Sequence, residues 1–352
     1  MNLEERIKAF AELGYFLGQF RNSGIVKNDD VKFNELFFDG FLHQIKLAEE
    51  HNGWFTKENI FFAIEGWSNL LNNNNFREWL GKYNFSNVES KEVAIIMAGN
   101  IPLVGFHDFL SVLVTGHSVL VKQSSNANKL LPFLAKYLEY VTPVFKGKIT
   151  FTEERLVDFD AVIATGSNNT ARYFEYYFKD KPSIIRKNRN SVAVLTGNES
   201  DIELEALSED IFRYYGLGCR NVSKMFVPKG YSFDNFFKAM YHWHPIIQQQ
   251  KYANNYDYNK AVYLMSEFDM LENGFLMIKE DQSYSSPIAT VFYEYYDSLA
   301  QLKEKLNNEN DVVQCIVSRG FVKNEVPFGK TQRPELWNYA DEIDTVEFLL
   351  TI

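Results

Sequence analysis

Short, uninterrupted apolar runs alternate with amphipathic helical patterns through the middle of this chain, and this alternation limits the folds it can adopt. The run Val93–Ala98 suits a strand buried on both faces, and it ends at Gly99. A helical pattern from Phe106 to Val114 follows, and Ser118–Lys122 is the next apolar run. Further strands are predicted at 161–164, 191–195, 224–227 and 312–317. The sequence therefore predicts an α/β fold with doubly wound, mostly parallel sheets, whose ligands bind beyond the carboxyl ends of the strands.

The two ends of the chain show different patterns. Apolar residues at helical spacing predict helices over 3–21, 33–51 and 57–71, and the asparagine run Asn72–Asn75 is a polar break after them. The apolar stretch 345–350 at the carboxyl terminus is predicted to be a strand. We expect this terminal strand to pair between subunits.

Charge and cysteine content exclude several classes of protein. A net charge of −10 argues against a general nucleic-acid-binding surface, although a local basic pocket for a phosphorylated ligand remains compatible with it. Two distant cysteines make neither a disulfide framework nor a metal site, and His242 and His244 lack a third ligand at metal-binding spacing. With no secretory signal and no apolar stretch long enough to span a membrane, we expect a cytoplasmic protein.

One cysteine has surroundings that suit chemistry. Cys219 lies in Gly216–Ser223, between glycines and the basic residue Arg220. A thiolate attacks only when its pKa is lowered, and Arg220 with small flanking residues could provide such an environment. The alternative is a tight turn with a buried structural thiol. Cys315, inside an apolar run, is predicted to be an inert small hydrophobe.

Two further positions could bind an anionic ligand. Gly166 and Ser167 lie between a predicted strand and a predicted helix, where backbone N–H groups and a hydroxyl suit a dinucleotide pyrophosphate. The alternative is a simple helix cap. Lys122, at the end of a predicted strand, could bind a ribose or a phosphate, or be a solvated strand end. Neither a glycine-rich Rossmann fingerprint nor a P-loop motif is present.

Taken in order, four motifs resemble the aldehyde dehydrogenase superfamily, and more closely the acyl-CoA reductases of the LuxC type, the fatty-acid reductases of bacterial bioluminescence. The motifs are Gly99–Pro102, Gly116–Lys122, Thr165–Ser167 and Gly218–Asn221. The resemblance implies an aldehyde dehydrogenase-like fold with a cofactor-binding and a catalytic domain. We expect N-terminal helices and the NAD(P)-binding domain in residues 1–200, the catalytic domain in 201–325 and a C-terminal tail strand in 326–352.

The resemblance also implies residue roles. Cys219 matches the nucleophile, which would attack an acyl thioester, release CoA and hold the acyl group as an enzyme thioester. Asn100 matches the amide that stabilises the oxyanion together with the backbone N–H of Cys219. Lys122, Gly166 and Ser167 match cofactor-binding positions.

Departures from the superfamily pattern indicate the direction of the reaction. Hydrolytic relatives carry a glutamate that activates water, whereas the corresponding region here, 184–190, has no carboxylate. An enzyme that passes its acyl group to hydride should lack such a base. Ser125 replaces a glutamate that binds the ribose hydroxyls in NAD-preferring relatives. This loss removes repulsion of a 2′-phosphate, so NADPH is the expected donor, with NADH possible.

Two other regions leave alternatives open. A motif that contacts the nicotinamide ribose in relatives corresponds to 282–287, where only Pro287 is retained. Arg186, Lys187 and Arg189 form a basic cluster that either meets CoA or cofactor phosphates or is a solvated face.

These observations predict an acyl-CoA reductase that uses NADPH to reduce a fatty acyl thioester to an aldehyde through an acyl group on Cys219. The acyl donor would be acyl-CoA or a partner acyl-activating protein, and we expect a homo-oligomer. Two alternatives remain: a CoA-acylating aldehyde dehydrogenase that runs oxidatively with NAD, and a non-catalytic scaffold of the same fold that binds acyl groups or a partner.

Overall fold

The structure, a computed structural model, describes residues 2–86 and 88–352 and divides into two compact units. Unit 1 comprises Met1–Lys187 and Glu335–Ile352, and unit 2 comprises Asn188–Pro334. The predicted functional domains, with boundaries after 200 and 325, stay a prediction. The compact units divide elsewhere because the strand that begins at Asn190 pairs with strands of unit 2, and the last residues pack on unit 1.

Helices and strands alternate along most of the chain. Unit 1 contains α1 (Leu3–Leu17), β1 (Phe20–Arg21), β2 (Gly24–Ile25), α2 (Asn34–His51), α3 (Lys57–Leu70), α4 (Asn73–Leu80), β3 (Glu92–Ile96), α5 (Phe106–Thr115), β4 (Ser118–Lys122), α6 (Leu130–Val141), β5 (Ile149–Phe151), β6 (Ala161–Thr165), α7 (Asn168–Tyr177) and β7 (Ser183–Arg186). Unit 2 contains β8 (Asn190–Val194), α8 (Asp201–Phe212), β9 (Val222–Pro228), α9 (Asp234–Met240), α10 (Gln250–Met265), β10 (Met270–Glu272), β11 (Met277–Glu280), β12 (Thr290–Tyr296), α11 (Leu299–Asn308) and β13 (Val313–Val317). The last helix, α12 (Thr345–Thr351), belongs to unit 1.

Unit 1 is built on a five-stranded sheet in the order β5-β4-β3-β6-β7, and every neighbouring pair is parallel. The central strands β3 and β6 are largely buried, as the uninterrupted apolar runs predict; Val93, Ala94 and Val162 have no exposed surface. The sheet is therefore covered on both faces, and its loops at the carboxyl ends of the strands are the parts available to a ligand.

The N-terminal helices of unit 1 bury a large share of the aromatic residues. The Phe16 ring stacks on Tyr137 of α6 at 4.3 Å between centroids, and Phe41 of α2 packs against Phe16 at 5.5 Å. All three side chains are fully buried, so they belong to the core and not to a ligand cavity.

The asparagine run Asn72–Asn75 is a break between two helices only in part. Asn72 caps the next helix by accepting hydrogen bonds from the amides of Asn74 and Asn75.

The predicted terminal strand over 345–350 is wrong, because these residues form the helix α12. Asp344 caps it by accepting a hydrogen bond from the amide of Glu347 at 3.0 Å. Val346 and Leu349, on one helical face, are fully buried in the core of unit 1. The Leu349 carbonyl also lies 2.8 Å from Nε2 of His117. A helix satisfies its own backbone hydrogen bonds, so the expected strand pairing between subunits loses its basis.

Unit 2 is built on a six-stranded sheet in the order β10-β11-β12-β9-β8-β13. Its neighbouring strands are parallel except for the antiparallel edge pair β10 and β11. A small core of Val192, Val194, Phe226, Leu302 and Leu306 lies between the sheet and α11. Across residues 2–86 and 88–352, none of the helices has both the length and the apolar character needed to cross a bilayer.

Candidate active site

The sheet of unit 1 reverses its direction of growth beside β3. The chain passes from β3 outward to β4 and β5, and then returns to place β6 and β7 on the other side. Loops that leave β3 and β6 therefore diverge at the carboxyl ends of these strands, which is the usual ligand site of open α/β sheets. Asn100 follows β3, and Gly166 and Ser167 follow β6. The structure thus brings these predicted site residues to one edge of the sheet.

The loop after β3 is packed tightly on the segment after β4. A Cβ atom at Gly99 would lie 2.5 Å from both Cβ and Oγ of Ser124, closer than real side chains approach. Glycine is therefore favoured where the backbone of this loop meets the side chain of Ser124. The next residue, Asn100, is exposed. The close packing fixes the backbone from which the Asn100 side chain projects.

Lys122 and Ser125 lie at the end of β4 and just beyond it. The half-buried Lys122 donates from Nζ to the carbonyl oxygen of Glu154 at 2.8 Å, which uses one of its three N–H donors. Ser125 is exposed, and its carbonyl oxygen lies 2.9 Å from Nε2 of His51, the last residue of α2. Sequence reasoning did not indicate His51 as a neighbour, since the contact spans 74 residues.

The turn between β6 and α7 is compact and ends in a helix cap. Ser167 Oγ accepts from the amide of Thr170 at 3.2 Å and lies 2.9 Å from its hydroxyl. A Cβ at Gly166 would lie 3.0 Å from both Thr170 and Phe174. Ser167 is therefore a helix cap, as one interpretation of the sequence predicts. The same turn also presents the N-terminus of the ten-residue helix α7, which favours an anion.

Cys219 is an exposed residue of unit 2, on the loop between α8 and β9. The alternative of a buried structural thiol is wrong for this position. Its carbonyl oxygen accepts a hydrogen bond at 3.0 Å from Oγ of Ser191, a fully buried residue of β8. The cysteine is therefore held by its backbone, with its side chain accessible.

The chain reaches Cys219 through a left-handed turn. Tyr214, Tyr215 and Gly216 have φ values of 56°, 60° and 74°, a region that costs about 1–2 kcal/mol for a residue with a Cβ. Only the third is a glycine. Such strain persists only where the surroundings enforce it, and it is concentrated at functional sites.

Asn221 joins this loop to the end of α8. It is 2% exposed, and its Nδ2 lies within 3.3 Å of the carbonyl oxygens of Asp210, Ile211 and Arg213. Its Oδ1 accepts from the amide of Gly218 at 2.8 Å. The sequence contains Asn221 in the cysteine motif but does not show this role, because the bonds depend on how α8 ends.

Arg220 contacts the second cysteine. Its Nη1 lies 3.3 Å from Sγ of Cys315 on β13. Cys315 is buried, as predicted, but its sulfur accepts a hydrogen bond from a cation, which a purely apolar role does not explain. Arg220 therefore also contacts a residue far away in sequence, which its position next to Cys219 does not indicate.

The three basic residues near 186–189 do not form one phosphate-facing cluster. Arg186 is buried and pairs with Asp108, whereas Lys187 pairs with the exposed Glu175 at 2.7 Å. Arg189 donates to the carbonyl oxygen of Asn310 at 3.1 Å. Neither a phosphate site nor a solvated face describes Arg186, which is part of the interior of unit 1.

The segment 282–287 is tied to the strand that follows the Cys219 loop. The carbonyl of Tyr284 accepts from Oγ of Ser223 at 2.7 Å, and that of Gln282 accepts from Nζ of Lys224 at 2.7 Å. Lys224 is fully buried and also pairs with Glu294 at 2.7 Å. Burial lowers the pKa of Lys224, while the Glu294 carboxylate opposes that shift. A lysine inside the apolar run 224–227 is the sequence signal that could have indicated this contact.

The predicted residues therefore fall into two groups. Asn100, Lys122, Ser125, Gly166 and Ser167 lie at the carboxyl edge of the sheet in unit 1. Cys219 lies in unit 2, where Ser191, Arg220 and Asn221 surround its loop. The role of each residue stays a prediction.

Comparison with solved structures defines the fold. The aldehyde dehydrogenase KauB from Pseudomonas aeruginosa is similar with a TM-score of 0.64 and 13% identity, over 90% of this chain and 72% of that chain. An indole-3-acetaldehyde dehydrogenase in complex with NAD+ gives a TM-score of 0.63 and 14% identity, over 89% and 72%. A mutant of AldC from Pseudomonas syringae, in complex with NAD+ and octanal, gives 0.63 and 12%, over 91% and 73%.

The chain therefore has the fold of the aldehyde dehydrogenases, and the predicted fold class is confirmed. No protein-family model matches the sequence, and no curated protein matches it. At this low identity the likeness defines the fold, while the LuxC-type relationship stays a prediction.

Proposed function

We propose that this chain is an acyl-CoA reductase that reduces a fatty acyl thioester to an aldehyde with NADPH, through an acyl group carried on Cys219. The observation that carries the proposal is the exposed Cys219 at the end of a left-handed turn, where the buried Ser191 bonds its carbonyl and the buried Asn221 bonds the N–H of the preceding residue, Gly218. A structural cysteine needs neither exposure nor such support. A nucleophile needs both, because its sulfur must reach a substrate in a fixed direction.

The sheet edge of unit 1 fits a nicotinamide dinucleotide. It combines the reversal of strand order beside β3, the close approach at Gly99, and the turn at Gly166 and Ser167 that presents a helix N-terminus. We assign Lys122 and Ser125 to ribose and phosphate contacts, with Gly166 and Ser167 on the pyrophosphate side. When bound, the cofactor supplies the hydride for the reduction.

The proposed reaction has two stages. The Cys219 thiolate attacks the carbonyl carbon of acyl-CoA, the bond from that carbon to the CoA sulfur breaks, and CoA leaves as a thiol after taking a proton. The backbone N–H of Cys219 stabilises the oxyanion, and the second donor that the family resemblance assigns to Asn100 stays a prediction. The enzyme thioester then accepts a hydride and a proton to give a thiohemiacetal. Its C–S bond breaks to release the aldehyde, and Cys219 recovers its proton.

Two observations support reduction of an apolar acyl group. The stretch 184–190, which by the family resemblance corresponds to the water-activating region of hydrolytic relatives, has no carboxylate, so it supplies no general base for hydrolysis of a thioester. The similar AldC structure holds octanal, an aliphatic aldehyde.

The choice of cofactor rests on Ser125. Its exposed hydroxyl presents no negative charge to a 2′-phosphate, which supports NADPH over NADH.

Mass spectrometry of the intact protein after incubation with acyl-CoA tests the proposal. We expect one acyl adduct, mapped to the peptide that contains Cys219, with one equivalent of CoA released. Cys219→Ala should abolish the adduct and leave NADPH binding unchanged in a fluorescence titration, since the proposed cofactor residues lie in unit 1. Cys315→Ala is the matched control and should still be acylated.

The outcomes separate the competing functions. An adduct followed by aldehyde formation with NADPH supports the proposal. CoA-dependent oxidation of an aldehyde with NAD, without reduction, would indicate the oxidative enzyme instead. Absence of any adduct, with no CoA released, would exclude the covalent mechanism and indicate a scaffold.

A further inference from the structure

Asn221 is the buried residue that controls the backbone around Cys219. It lies two positions after the cysteine, and its side-chain amide donates and accepts on opposite sides. An asparagine side-chain amide has two N–H donors and one carbonyl acceptor. It can therefore join one segment that presents carbonyl oxygens to another that presents an N–H group.

The N–H donors of the Asn221 side chain lie against backbone carbonyl groups at the end of α8. Nδ2 lies 3.0 Å from the Asp210 carbonyl oxygen, 3.3 Å from that of Ile211 and 2.8 Å from that of Arg213. The last carbonyls of a helix lack partners within the helix, and leaving them buried and unbonded is costly. The amide thereby fixes the point from which the left-handed turn at 214–216 departs.

On its acceptor side, Asn221 fixes the residue before the nucleophile. The side-chain Oδ1 of Asn221 accepts from the backbone N–H of Gly218 at 2.8 Å, and the backbone N–H of Asn221 donates to the carbonyl of Gly218 at 3.0 Å, so the side chain clamps the turn that this backbone bond closes. The C=O and N–H of a trans peptide group point in opposite directions. Because the Gly218 carbonyl points toward Asn221, the N–H of Cys219 in the same peptide group points away from it.

The next peptide group is fixed independently. Ser191 Oγ donates to the carbonyl oxygen of Cys219 at 3.0 Å, and Ser191 is fully buried in β8. The two peptide groups of Cys219 are thus held from two elements, α8 through Asn221 and β8 through Ser191.

We infer that the Asn221 side chain is a positioning group: by tying the 218–221 turn to the end of α8, it directs the backbone N–H of Cys219 toward the oxyanion formed on acylation, with Ser191 as its auxiliary. This inference rests on the proposed function, in which that N–H is an oxyanion donor. Loss of Asn221 should therefore slow reactions in which an oxyanion develops. It should have little effect on reactions of the same sulfur in which none develops.

The test compares two reactions of Cys219 in Asn221→Ala. Acylation by acyl-CoA or by p-nitrophenyl acetate forms an oxyanion, whereas alkylation by iodoacetamide does not. We expect the acylation rate to fall by about 100-fold, the usual effect of losing one oxyanion donor, and the alkylation rate to change less than about threefold. Peptide mapping assigns each adduct to Cys219.

Two further variants keep the test decisive. Asn259→Ala is the matched control, since Asn259 is also a buried asparagine of unit 2 whose amide donates to a backbone carbonyl, that of Ile288 at 2.9 Å. It should change neither rate. If Asn221→Ala does not fold, Ser191→Ala should reduce acylation selectively, by about tenfold as the loss of one supporting hydrogen bond.

The results distinguish this inference from the proposed function. Equal losses of acylation and alkylation in a folded variant, or no loss of either, would overturn the positioning role. Wild-type protein acylated by the nitrophenyl ester but not by acyl-CoA would overturn the acyl-CoA assignment, while the ratio of rates would still decide the role of Asn221. Wild-type protein acylated by neither would overturn both.

Discussion

The guanidinium of Arg186 and the carboxylate of Asp108 form an ion pair in the interior of unit 1, with both side chains more than 90% buried. Asp108 lies on α5 and Arg186 ends β7, while Arg186 Nη2 also donates to the hydroxyl of Thr345 at the start of α12, at 3.1 Å. One buried cation therefore joins three elements distant in sequence.

Removing the carboxylate of this pair should be strongly destabilising. Asp108→Ala leaves a buried guanidinium without its counter-ion, and we expect the free energy of unfolding to fall by about 3–5 kcal/mol. Glu175→Gln breaks the exposed pair with Lys187 and should cost less than about 1 kcal/mol. Urea denaturation of both variants measures the two costs. Equal small losses would show that the buried pair contributes no more than the surface pair.

Protonation of His117 should destabilise unit 1. The buried imidazole accepts from the Lys91 amide at Nδ1, 3.1 Å away, and donates from Nε2 to Leu349, which requires the neutral ring. Burial lowers the pKa of His117 in the folded state. The contribution of neutral His117 to the free energy of unfolding is fully present above the unfolded-state pKa of about 6.5. Below that pH it falls by about 1.4 kcal/mol per pH unit.

The measurement is the free energy of unfolding of wild type and His117→Gln between pH 5 and 8, a range set by the histidine pKa of about 6.5. The difference in free energy of unfolding between wild type and His117→Gln should become smaller as the pH falls. The exposed His43 is the control, and His43→Gln should follow wild type throughout. A difference that is constant across this range would contradict the neutral assignment.

Asp210 should give the opposite pH dependence. Burial raises its pKa to about 6, although the amides of Gly329 and Thr331 donate to its carboxylate. The folded state therefore binds the proton more tightly than the unfolded state, with its pKa of about 3.9. The contribution to stability is fully present below about pH 4 and is lost as the pH rises through about 6.

We expect wild type to gain up to about 3 kcal/mol relative to Asp210→Asn as the pH falls from 7 to 4, from the linkage of pKa to stability. Denaturation at several pH values measures this difference. Glu205→Gln, at an exposed position of the same helix, should show no comparable change. If the Asp210→Asn difference is independent of pH, the carboxyl group has an ordinary pKa.

Gly166→Ala should weaken cofactor binding. The added methyl group would lie 3.0 Å from Thr170 and Phe174, so the turn between β6 and α7 must shift by a few tenths of an ångström. We expect the Kd for NADPH to rise by about tenfold, corresponding to about 1.4 kcal/mol of overpacking. Fluorescence titration measures this change.

Gly66→Ala is the matched control for that substitution. Gly66 lies within α3 and has no neighbour within 4 Å of an added Cβ. The variant should leave the Kd unchanged and raise the free energy of unfolding by about 0.5–1 kcal/mol, because alanine favours a helix interior. An unchanged Kd in both variants would remove the β6–α7 turn from the cofactor site.

The sequence predicted the sheet strands with uninterrupted apolar runs more readily than the others. β3 and β6 are buried on both faces, so their sequences carry a continuous apolar signal, whereas β4 is fully buried only at Val119 and Val121. The short strands β5 and β10 were not predicted, since each has three residues and is largely accessible. The terminal helix was predicted as a strand because a short apolar stretch such as 345–350 does not by itself distinguish a strand from a buried helix.

The sequence by itself determined the alternation of strands and helices, and it indicated Cys219, Asn100 and the turn at Gly166 as candidate site residues. These features are local, because they depend on the spacing of apolar residues and on glycines that lie next to candidate site residues. Tertiary structure alone decided that Arg186 is buried against Asp108, and that Asn221 and Ser191 hold the cysteine backbone. Those contacts join residues up to 78 positions apart. Their formation depends on how helices and strands pack, which no local pattern of residues records.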